Sequence, residues 1–115
     1  MHSVNLMVKH SDDLDPVFRA LADPTRRALL TLLEREPATV GALAQRFDMS
    51  LPALMKHLRL LEHAGLVATQ KTGRVRTCAL RPEPLAQAEA WLARRQRFVA
   101  GRLGALQRHL DGDAT

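Results

Sequence analysis

The chain has few of the residues that disulfides, membrane spans or export signals require. Cys78 is the one cysteine among 115 residues, so no disulfide forms within the chain and nothing indicates an oxidising compartment. No run approaches the roughly 20 apolar residues of a membrane span, and Met1 to His10 lacks the pattern of a signal peptide. We therefore expect a cytoplasmic protein without a membrane partner.

Catalytic and metal-binding constellations are also missing from the sequence. No nucleophile has an evident neighbouring base and no phosphate-binding loop is present, so we do not expect an enzyme. The five histidines are scattered along the chain, whereas a metal site needs about four converging nitrogen or sulfur ligands. We expect neither a cofactor nor a bound metal.

Basic charge is present instead, and it is clustered. The formal net charge is +5, and between residues 50 and 76 the single acidic side chain, Glu62, is outnumbered by cationic ones. Those cations are Lys56, Arg59, Lys71, Arg74 and Arg76. Clustered basic charge of this kind is typical of a surface that binds a polyanion such as nucleic acid.

Two Asp-Pro pairs indicate helix starts in the first third of the chain. Asp15-Pro16 and Asp23-Pro24 each combine an Asp that can accept backbone N–H bonds with a Pro whose fixed φ suits the first helical position. We therefore expect helices that begin near Pro16 and near Pro24. The second helix has a core-facing stripe of Leu29, Leu32 and Leu33.

The stretch from Thr39 to Gly65 has the pattern of a helix-turn-helix. Thr39 is suited to cap a first helix, Val40 to Phe47, whose apolar residues recur at helical spacing. After a tight connection, the Ser50 hydroxyl is suited to cap a second helix, which ends near Ala64 because Gly65 supplies a left-handed stop. The core stripe predicted for this second helix consists of Leu54, Leu58 and Leu61, with Leu60 at its edge.

A basic hairpin follows the second helix, whose side away from the core stripe is small, flexible and cationic. Leu66 to Gln70 and Arg74 to Leu80 are strand-like runs joined by Lys71-Thr72-Gly73, whose glycine suits a hairpin tip. A helix-turn-helix with such a wing is typically used to place a helix in the DNA major groove, so double-stranded DNA is the expected partner. The candidate DNA-binding residues are Ser50, Pro52, Ala53, Met55, Lys56, His57 and Arg59 of the helix, and Lys71, Arg74 and Arg76 of the hairpin.

A final helical pattern runs from about Pro84 to Leu110, a length of roughly 40 Å at 1.5 Å per residue. Its apolar surface exceeds what so small a body can cover, so we expect a second copy of the chain as the cover. That surface consists of Trp91, Leu92, Phe98, Val99, Leu103, Leu106 and Leu110. The expected fold is mainly α with a small β-hairpin, a dimeric winged helix-turn-helix at 15–110, between a flexible lead-in at 1–14 and a tail at 111–115.

Three segments resemble a known family. DPTRRALLTLL, SLPALMKHLRLLEHAGLV and KTGRVRTCAL are together similar to the ArsR/SmtB family of bacterial winged-helix repressors, and the resemblance covers roughly Val17 to Leu110. It implies a homodimer held by the first and last helices, which binds an operator of inverted-repeat symmetry and blocks transcription. The PTRR and GRVR details resemble the branch of the family that lacks metal sites.

The sensor is where this chain departs from the metal-sensing members of that family. Those members carry clustered cysteines in the first helix of the pair, or paired acidic and histidine ligands along the last helix. Here Val40 to Phe47 contains neither Cys nor His, and the last helix contains one histidine, His109. We therefore expect regulation by a small-molecule effector of unknown identity, by a partner or by protein amount.

Some residues support two interpretations. Cys78 is either a redox switch or a small core residue on the inward side of a strand, and His57 either donates to DNA or is half-buried beside Leu58. We interpret the cationic run Arg94, Arg95 and Arg97 as a solvated helix face and leave it out of the site. For the whole chain, the alternative is a winged-helix module that binds a protein and not DNA, although such a module does not need a cationic wing.

Overall fold

The computed structural model describes residues 14–113, so most of the expected lead-in, 1–13, and the last two residues lie outside the described part. The elements in chain order are α1 (Asp15–Leu21), α2 (Pro24–Arg35), β1 (Ala38–Thr39), α3 (Val40–Ala44), α4 (Leu51–His63), β2 (Val67–Thr72), β3 (Val75–Leu80) and α5 (Glu83–Asp113). The predicted fold class, mainly α with a small β-hairpin in a winged helix-turn-helix arrangement, is confirmed.

Three of the helix starts have the side-chain caps that the sequence predicts. Asp23, Thr39 and Ser50 each accept a hydrogen bond from the backbone N–H three residues further on, at 3.1, 3.0 and 3.3 Å. These bonds satisfy donors that have no partner within the helix. The equivalent prediction for Asp15 is wrong, because α1 begins one position earlier, with Leu14 at the cap and Asp15 in the first turn.

The core forms between α1, α2, α4, the sheet and the beginning of α5. The stripe predicted for α4 is confirmed, and in α2 Leu29 and Leu33 are buried as expected, whereas Leu32 is half-buried and Leu30 is buried. Each fully buried leucine stabilises the fold by about 1.5–3 kcal/mol relative to an exposed one. The buried residues are Val17, Ala20, Leu29, Leu30, Leu33, Leu43, Leu54, Leu58, Leu61, Leu66, Val67, Cys78 and Ala88.

The sheet has a third strand that the sequence analysis did not find. β1 pairs antiparallel with β3, which also pairs with β2, so the strand order is β1-β3-β2. β1 consists of Ala38 and Thr39, which lie opposite Cys78 and Thr77. A two-residue strand carries no alternating pattern, so its existence depends on the distant strand that it pairs with.

Two helices differ in length from the prediction. α3 ends at Ala44 and not at Phe47, because the chain tightens there: the Arg46 N–H bonds to the Leu43 carbonyl, three residues back, at 3.0 Å. Phe47 is nevertheless half-buried against the core. α5 continues to Asp113, through part of the segment expected as a tail, and its 31 residues make it about 46 Å long.

Candidate DNA-binding surface

The helix α4 is anchored along one side and open along the other. Leu54, Leu58 and Leu61 are 1%, 2% and 0% exposed, so the helix is held to the core at every turn. At its C-terminal end, Thr69 Oγ1 of β2 donates a hydrogen bond of 2.7 Å to the Glu62 carboxylate. Since residues in a helix repeat every 3.6 positions, these anchors determine which side chains face away from the body.

Most of the candidate residues of α4 lie on its open side. Ser50, Pro52, Lys56 and Arg59 are exposed and Ala53 is half-buried. Met55 differs from the expectation, because its side chain packs against the core where it was expected to face away. The open side of α4 therefore carries small side chains and two cations, and Met55 lies at the edge of this surface that meets the core.

The hairpin of β2 and β3 turns at Gly73 and Arg74, so the predicted turn is shifted by a residue and Arg74 precedes β3 instead of starting it. Gly73 has a φ of 62°, which suits the first central position of a two-residue hairpin turn. Lys71 and Arg76 are directly opposite each other in the register, so their side chains share one face of the hairpin.

This pairing of two cations is unfavourable for the hairpin itself. Like charges directly opposite each other destabilise an antiparallel pair. Within residues 14–113, neither Lys71 nor Arg76 forms an ion pair, in contrast to Arg81, which pairs with Glu83. A polyanion beside the wing would relieve the repulsion, which indicates that the cations serve binding and not folding.

A groove of about 520 Å³ separates the beginning of α4 from the wing. Two of its apolar residues, Leu51 and Val75, are 55% and 51% exposed, while Met55 closes the floor. Three cations, Lys71, Arg74 and Arg76, surround them; Thr39, Val40 and Gly41 complete the lining. Apolar groups within a cationic rim suit DNA, whose major groove presents thymine methyl groups between two rows of phosphates.

Sequence reasoning missed Leu51 and Val75 as candidates for this surface. Leu51 precedes Met55 by four positions and therefore lies on the same side of α4, which is a signal that the sequence contains. Val75 follows the turn directly, and only the strand register shows that it lies opposite Thr72 at the tip. Both residues extend the candidate surface from a cationic patch to a groove with an apolar floor.

Four of the candidates, Met55, Lys71, Arg74 and Arg76, line the groove, whereas Ser50, Pro52, Ala53, Lys56 and Arg59 lie outside it on α4. His57 is directed toward α2 instead. Its Nδ1 lies 3.1 Å from Nη1 of Arg26 and 3.8 Å from a carboxylate oxygen of Asp23, both of which belong to the start of α2. Desolvation by burial acts to raise the pKa of Asp23, but the backbone N–H and the charge of Arg26, together with the charge that His57 carries when it is protonated, outweigh it, so that pKa lies below its ordinary value. The half-buried interpretation of His57 therefore describes its observed surroundings.

Cys78 lies in the core, opposite Thr69 on β2 and Ala38 on β1. Its side chain is 0% exposed, and burial, with the nearby charge of Glu62, raises the pKa of its thiol despite the opposing charge of Arg76. A reactive cysteine needs exposure and a lowered pKa. The structure therefore favours the core interpretation of Cys78 over the redox switch.

The described residues include no group of three or more His, Cys, Asp or Glu side chains that could hold a metal ion. In the same part of the chain, no helix combines the length and the apolar character needed to cross a membrane.

Comparisons with known proteins agree with the fold and the surface. A helix-turn-helix domain family matches residues 21–70. The transcriptional repressor SdpR of Bacillus subtilis (strain 168) is 32% identical over 79 residues, which are 69% of this chain and 88% of that protein. An ArsR family transcriptional regulator of known crystal structure is 55% identical in sequence to this chain. The match has a TM-score of 0.72 and covers 76% of this chain and 96% of that one. An ArsR-like transcriptional regulator from Rhodococcus sp. RHA1 is 33% identical, with a TM-score of 0.76 over 86% and 91%.

A helix pair with an open basic side, flanked by a cationic wing, defines a winged helix-turn-helix protein, a class that binds DNA. Within this class the chain belongs to the ArsR family, since it shares 55% identity with an ArsR family regulator over 96% of that chain. It is accordingly a DNA-binding transcriptional regulator and not an enzyme.

Proposed function

We propose that the chain acts as a homodimeric repressor of an operator with inverted-repeat symmetry. The observation that carries the proposal is the groove between α4 and the wing, where Lys71, Arg74 and Arg76, which form no ion pair within residues 14–113, lie beside exposed apolar side chains. In the proposed complex, α4 enters the major groove and the wing follows the phosphate backbone or the minor groove. Repression is supported by the similarity to SdpR, which is a transcriptional repressor.

The residues proposed to contact DNA divide into two groups. Ser50, Pro52, Ala53, Met55, Lys56 and Arg59 lie on or near the open side of α4, and Lys71, Arg74 and Arg76 lie on the wing. His57 is not proposed to contact DNA directly, since its Nδ1 is bonded to Arg26 on the side of α4 that faces α2. The alternative, a protein-interaction module, is disfavoured by the opposed Lys71 and Arg76, which a neutral or apolar partner would leave unrelieved.

Dimerisation is supported by the apolar side chains of α5 that nothing covers within residues 14–113. Phe98, Leu103 and Leu106 are 64%, 61% and 53% exposed. An exposed apolar stripe of this extent on a helix is typical of an interface between protein chains. A symmetric pair of chains would present two copies of α4, and half-sites one helical turn apart require about 34–36 Å between them.

The remaining parts of the proposal concern location and regulation. Bacterial operators lie in the cytoplasm, so we propose that the protein acts there. We propose release from DNA by an organic effector, a partner or a change in protein amount, because the sequence lacks the ligand sets of metal-sensing relatives. A stoichiometric Zn²⁺ or Cd²⁺ complex that lowers operator affinity would contradict this part.

Footprinting on the DNA upstream of the gene, combined with sedimentation of the free protein, tests the proposal. We expect a protected inverted repeat whose half-site centres are one helical turn apart, and a dimer at micromolar concentration. Protection without symmetry, or a monomer that binds the full site, would refute the dimeric mode. Equal affinity for the protected site and a scrambled duplex would refute operator recognition and favour the protein-interaction alternative.

A further inference from the structure

Three helices meet at the guanidinium of Arg26, which lies outside the DNA-binding groove. Its Nε donates to the carbonyl oxygen of Ala20 (2.8 Å) and its Nη2 to that of Arg19 (2.9 Å), in the last turn of α1. Its Nη1 lies 3.1 Å from Nδ1 of His57, in the middle of α4. Each nitrogen has its own acceptor, so one planar group of α2 connects α1 with α4.

A comparison with the neighbouring Arg27 shows which contact of Arg26 is not shared by both arginines. Its Nη1 donates to the carbonyl oxygen of Leu21 at 2.7 Å, so both arginines bond to carbonyls at the C-terminal end of α1, where the Arg19 carbonyl also accepts from the Ala22 N–H. The Arg26 guanidinium reaches α4 as well, through His57. Capping of α1 is therefore common to both residues, and the bond to His57 distinguishes Arg26.

The bond to His57 has a consequence for the orientation of α4. Its buried leucines and the Thr69–Glu62 bond determine which side of the helix faces the core, but hydrophobic contact is not directional and leaves room for small rotations in the middle of the helix. A hydrogen bond is directional. His57 is next to Lys56 and two residues before Arg59, so a small rotation at His57 moves both cations relative to a base edge.

We propose that Arg26 is a positioning residue for DNA recognition: through His57 it fixes the rotation of α4 and hence the aim of Lys56 and Arg59. The inference rests on the proposed function, in which α4 reads the operator. The helix α1, which Arg26 contacts, also packs against α5, because the ring of Phe18 lies edge-on to that of Trp91, with ring centroids 6.0 Å apart.

The chemistry of the bond makes it sensitive to protonation. A guanidinium only donates, so this bond requires Nδ1 of His57 to accept, with the proton of the neutral ring on Nε2. A protonated imidazole has two donors and no acceptor, so it would lose the bond and face Arg26 as a second cation. Asp23, 3.8 Å from the ring, would become its partner. Besides Asp23 and Arg26, the cluster includes α1, through the Arg19 and Ala20 carbonyls.

The test measures the ratio of affinities for the operator and a scrambled duplex, by fluorescence anisotropy of the full chain. His57→Leu removes the acceptor, whereas His57→Asn keeps an acceptor oxygen near the position of Nδ1. We expect His57→Leu and Arg26→Gln to lower the ratio about tenfold, the size of one charge-assisted hydrogen bond. His57→Asn should retain most of the ratio, and the control Arg27→Gln should retain all of it.

Two further readouts separate positioning from a loss of folding. The double variant Arg26→Gln with His57→Leu should lower the ratio no further than either single variant, because both remove the same bond. Affinity for the scrambled duplex and dimer formation should change less than about twofold.

Each outcome decides the matter in one direction. Equal ratios for Arg26→Gln and Arg27→Gln, additive effects in the double variant, or His57→Asn as poor as His57→Leu would overturn the positioning role while leaving operator recognition intact. A wild-type protein that does not discriminate between the two duplexes would overturn the proposed function, and the inference with it.

Discussion

The winged-helix body buries its leucines, whereas the distal part of α5, from Trp91 to Leu110, leaves its leucines exposed. In the body, Leu29 and Leu61 are 0% exposed, whereas in distal α5 Leu103 is 61% exposed. The body therefore obtains its hydrophobic stabilisation within one chain. Distal α5 leaves apolar surface open to water and obtains the same stabilisation only when something covers it.

The boundary between these two regions lies on α5 itself. Near its beginning, Ala88 is buried and Leu85 packs against the core, so the helix starts as part of the body. At Trp91 the contact continues through the ring of Phe18. Further on, Arg102 lies 5.5 Å from the Phe98 ring, a cation–π contact that covers part of an aromatic side chain in the free chain. The comparison teaches that one helix can be part of the core at one end and leave its apolar side chains uncovered at the other.

The largest effect should follow from charge on distal α5. Replacing both Leu103 and Leu106 by Glu removes two apolar side chains per chain from the proposed seam and adds unpaired charge there. Each buried leucine contributes about 1.5–3 kcal/mol, so dimerisation should weaken on the order of a thousandfold or more. Sedimentation velocity at several concentrations measures this change, and an unchanged dimer would contradict the assigned seam.

The matched control for that variant is Ala90→Glu with Arg108→Gln, which makes the net charge of the helix more negative by the same amount. Both residues are exposed, and helical periodicity places them on the side of α5 opposite the apolar stripe. Because Glu and Gln have helix propensities close to those of Ala and Arg, the control does not weaken the helix itself. It should leave the dimer intact.

The next effect compares one leucine from each region. Leu61→Ala creates a cavity in the body and should lower the free energy of unfolding by about 2–5 kcal/mol, through a term that does not depend on protein concentration. Leu106→Ala should act through association, so its effect on the thermal midpoint should grow as the protein is diluted toward the dissociation range. Calorimetry over a hundredfold range of concentration distinguishes the two. A dilution-dependent effect for Leu61 alone would reverse the comparison.

The sequence predicts the body better than its internal connections, and the reason is the range of the signals. Caps such as Ser50 and the leucine stripe of α4 depend on residues three or four positions apart, which a sequence displays directly. β1 and the bond between Arg26 and His57 depend on partners far along the chain, the latter 31 positions apart. Nothing local in either partner specifies such a contact, so neither was predicted.

The candidate site follows the same rule. The cations of α4 and of the wing are visible as a cluster in the sequence, whereas the groove between them is formed by packing of α3, α4 and the hairpin. Met55 was assigned to the open side because the predicted stripe left it there, but its side chain packs against the core and lines the groove that faces the wing. The sequence predicts which residues belong to the candidate surface, but it does not predict which residues of other helices and strands lie next to them.

Substitutions on the DNA-binding surface should affect DNA binding without affecting either source of stability. Lys56→Ala or Arg59→Ala should weaken operator binding by about 1–3 kcal/mol if the side chain reaches a base, and weaken binding to scrambled DNA less. Arg74→Ala or Arg76→Ala should weaken both duplexes alike, and should reduce the salt slope by about one for each phosphate that a protomer no longer neutralises.

Salt titrations of anisotropy on both duplexes, for the wild type and the four variants, measure these effects. Sedimentation of the same samples should show unchanged dimers, which separates the DNA surface from distal α5. Unchanged affinity and slope in the two wing variants would refute the role of the wing. Unchanged affinity in all four variants would favour a protein partner over DNA.

The smallest effect concerns the polar part of the body, where Asp23 caps α2 and faces Arg26 and His57. Its pKa in the folded chain lies below the ordinary 3.8, so its charge stabilises the fold above that pH and the contribution is lost as the pH falls through the lowered pKa. Asp23→Asn keeps a capping side chain but removes the charge. The difference in unfolding free energy between wild type and Asp23→Asn should therefore be constant at neutral pH and shrink toward pH 3 and below.

Asp23→Ala, which also loses the bond to the Arg26 N–H, should stay less stable than Asp23→Asn at every pH, as urea titrations across the pH series would show. A difference that does not vary with pH would mean that the cap alone, and not the charge, accounts for the contribution of Asp23.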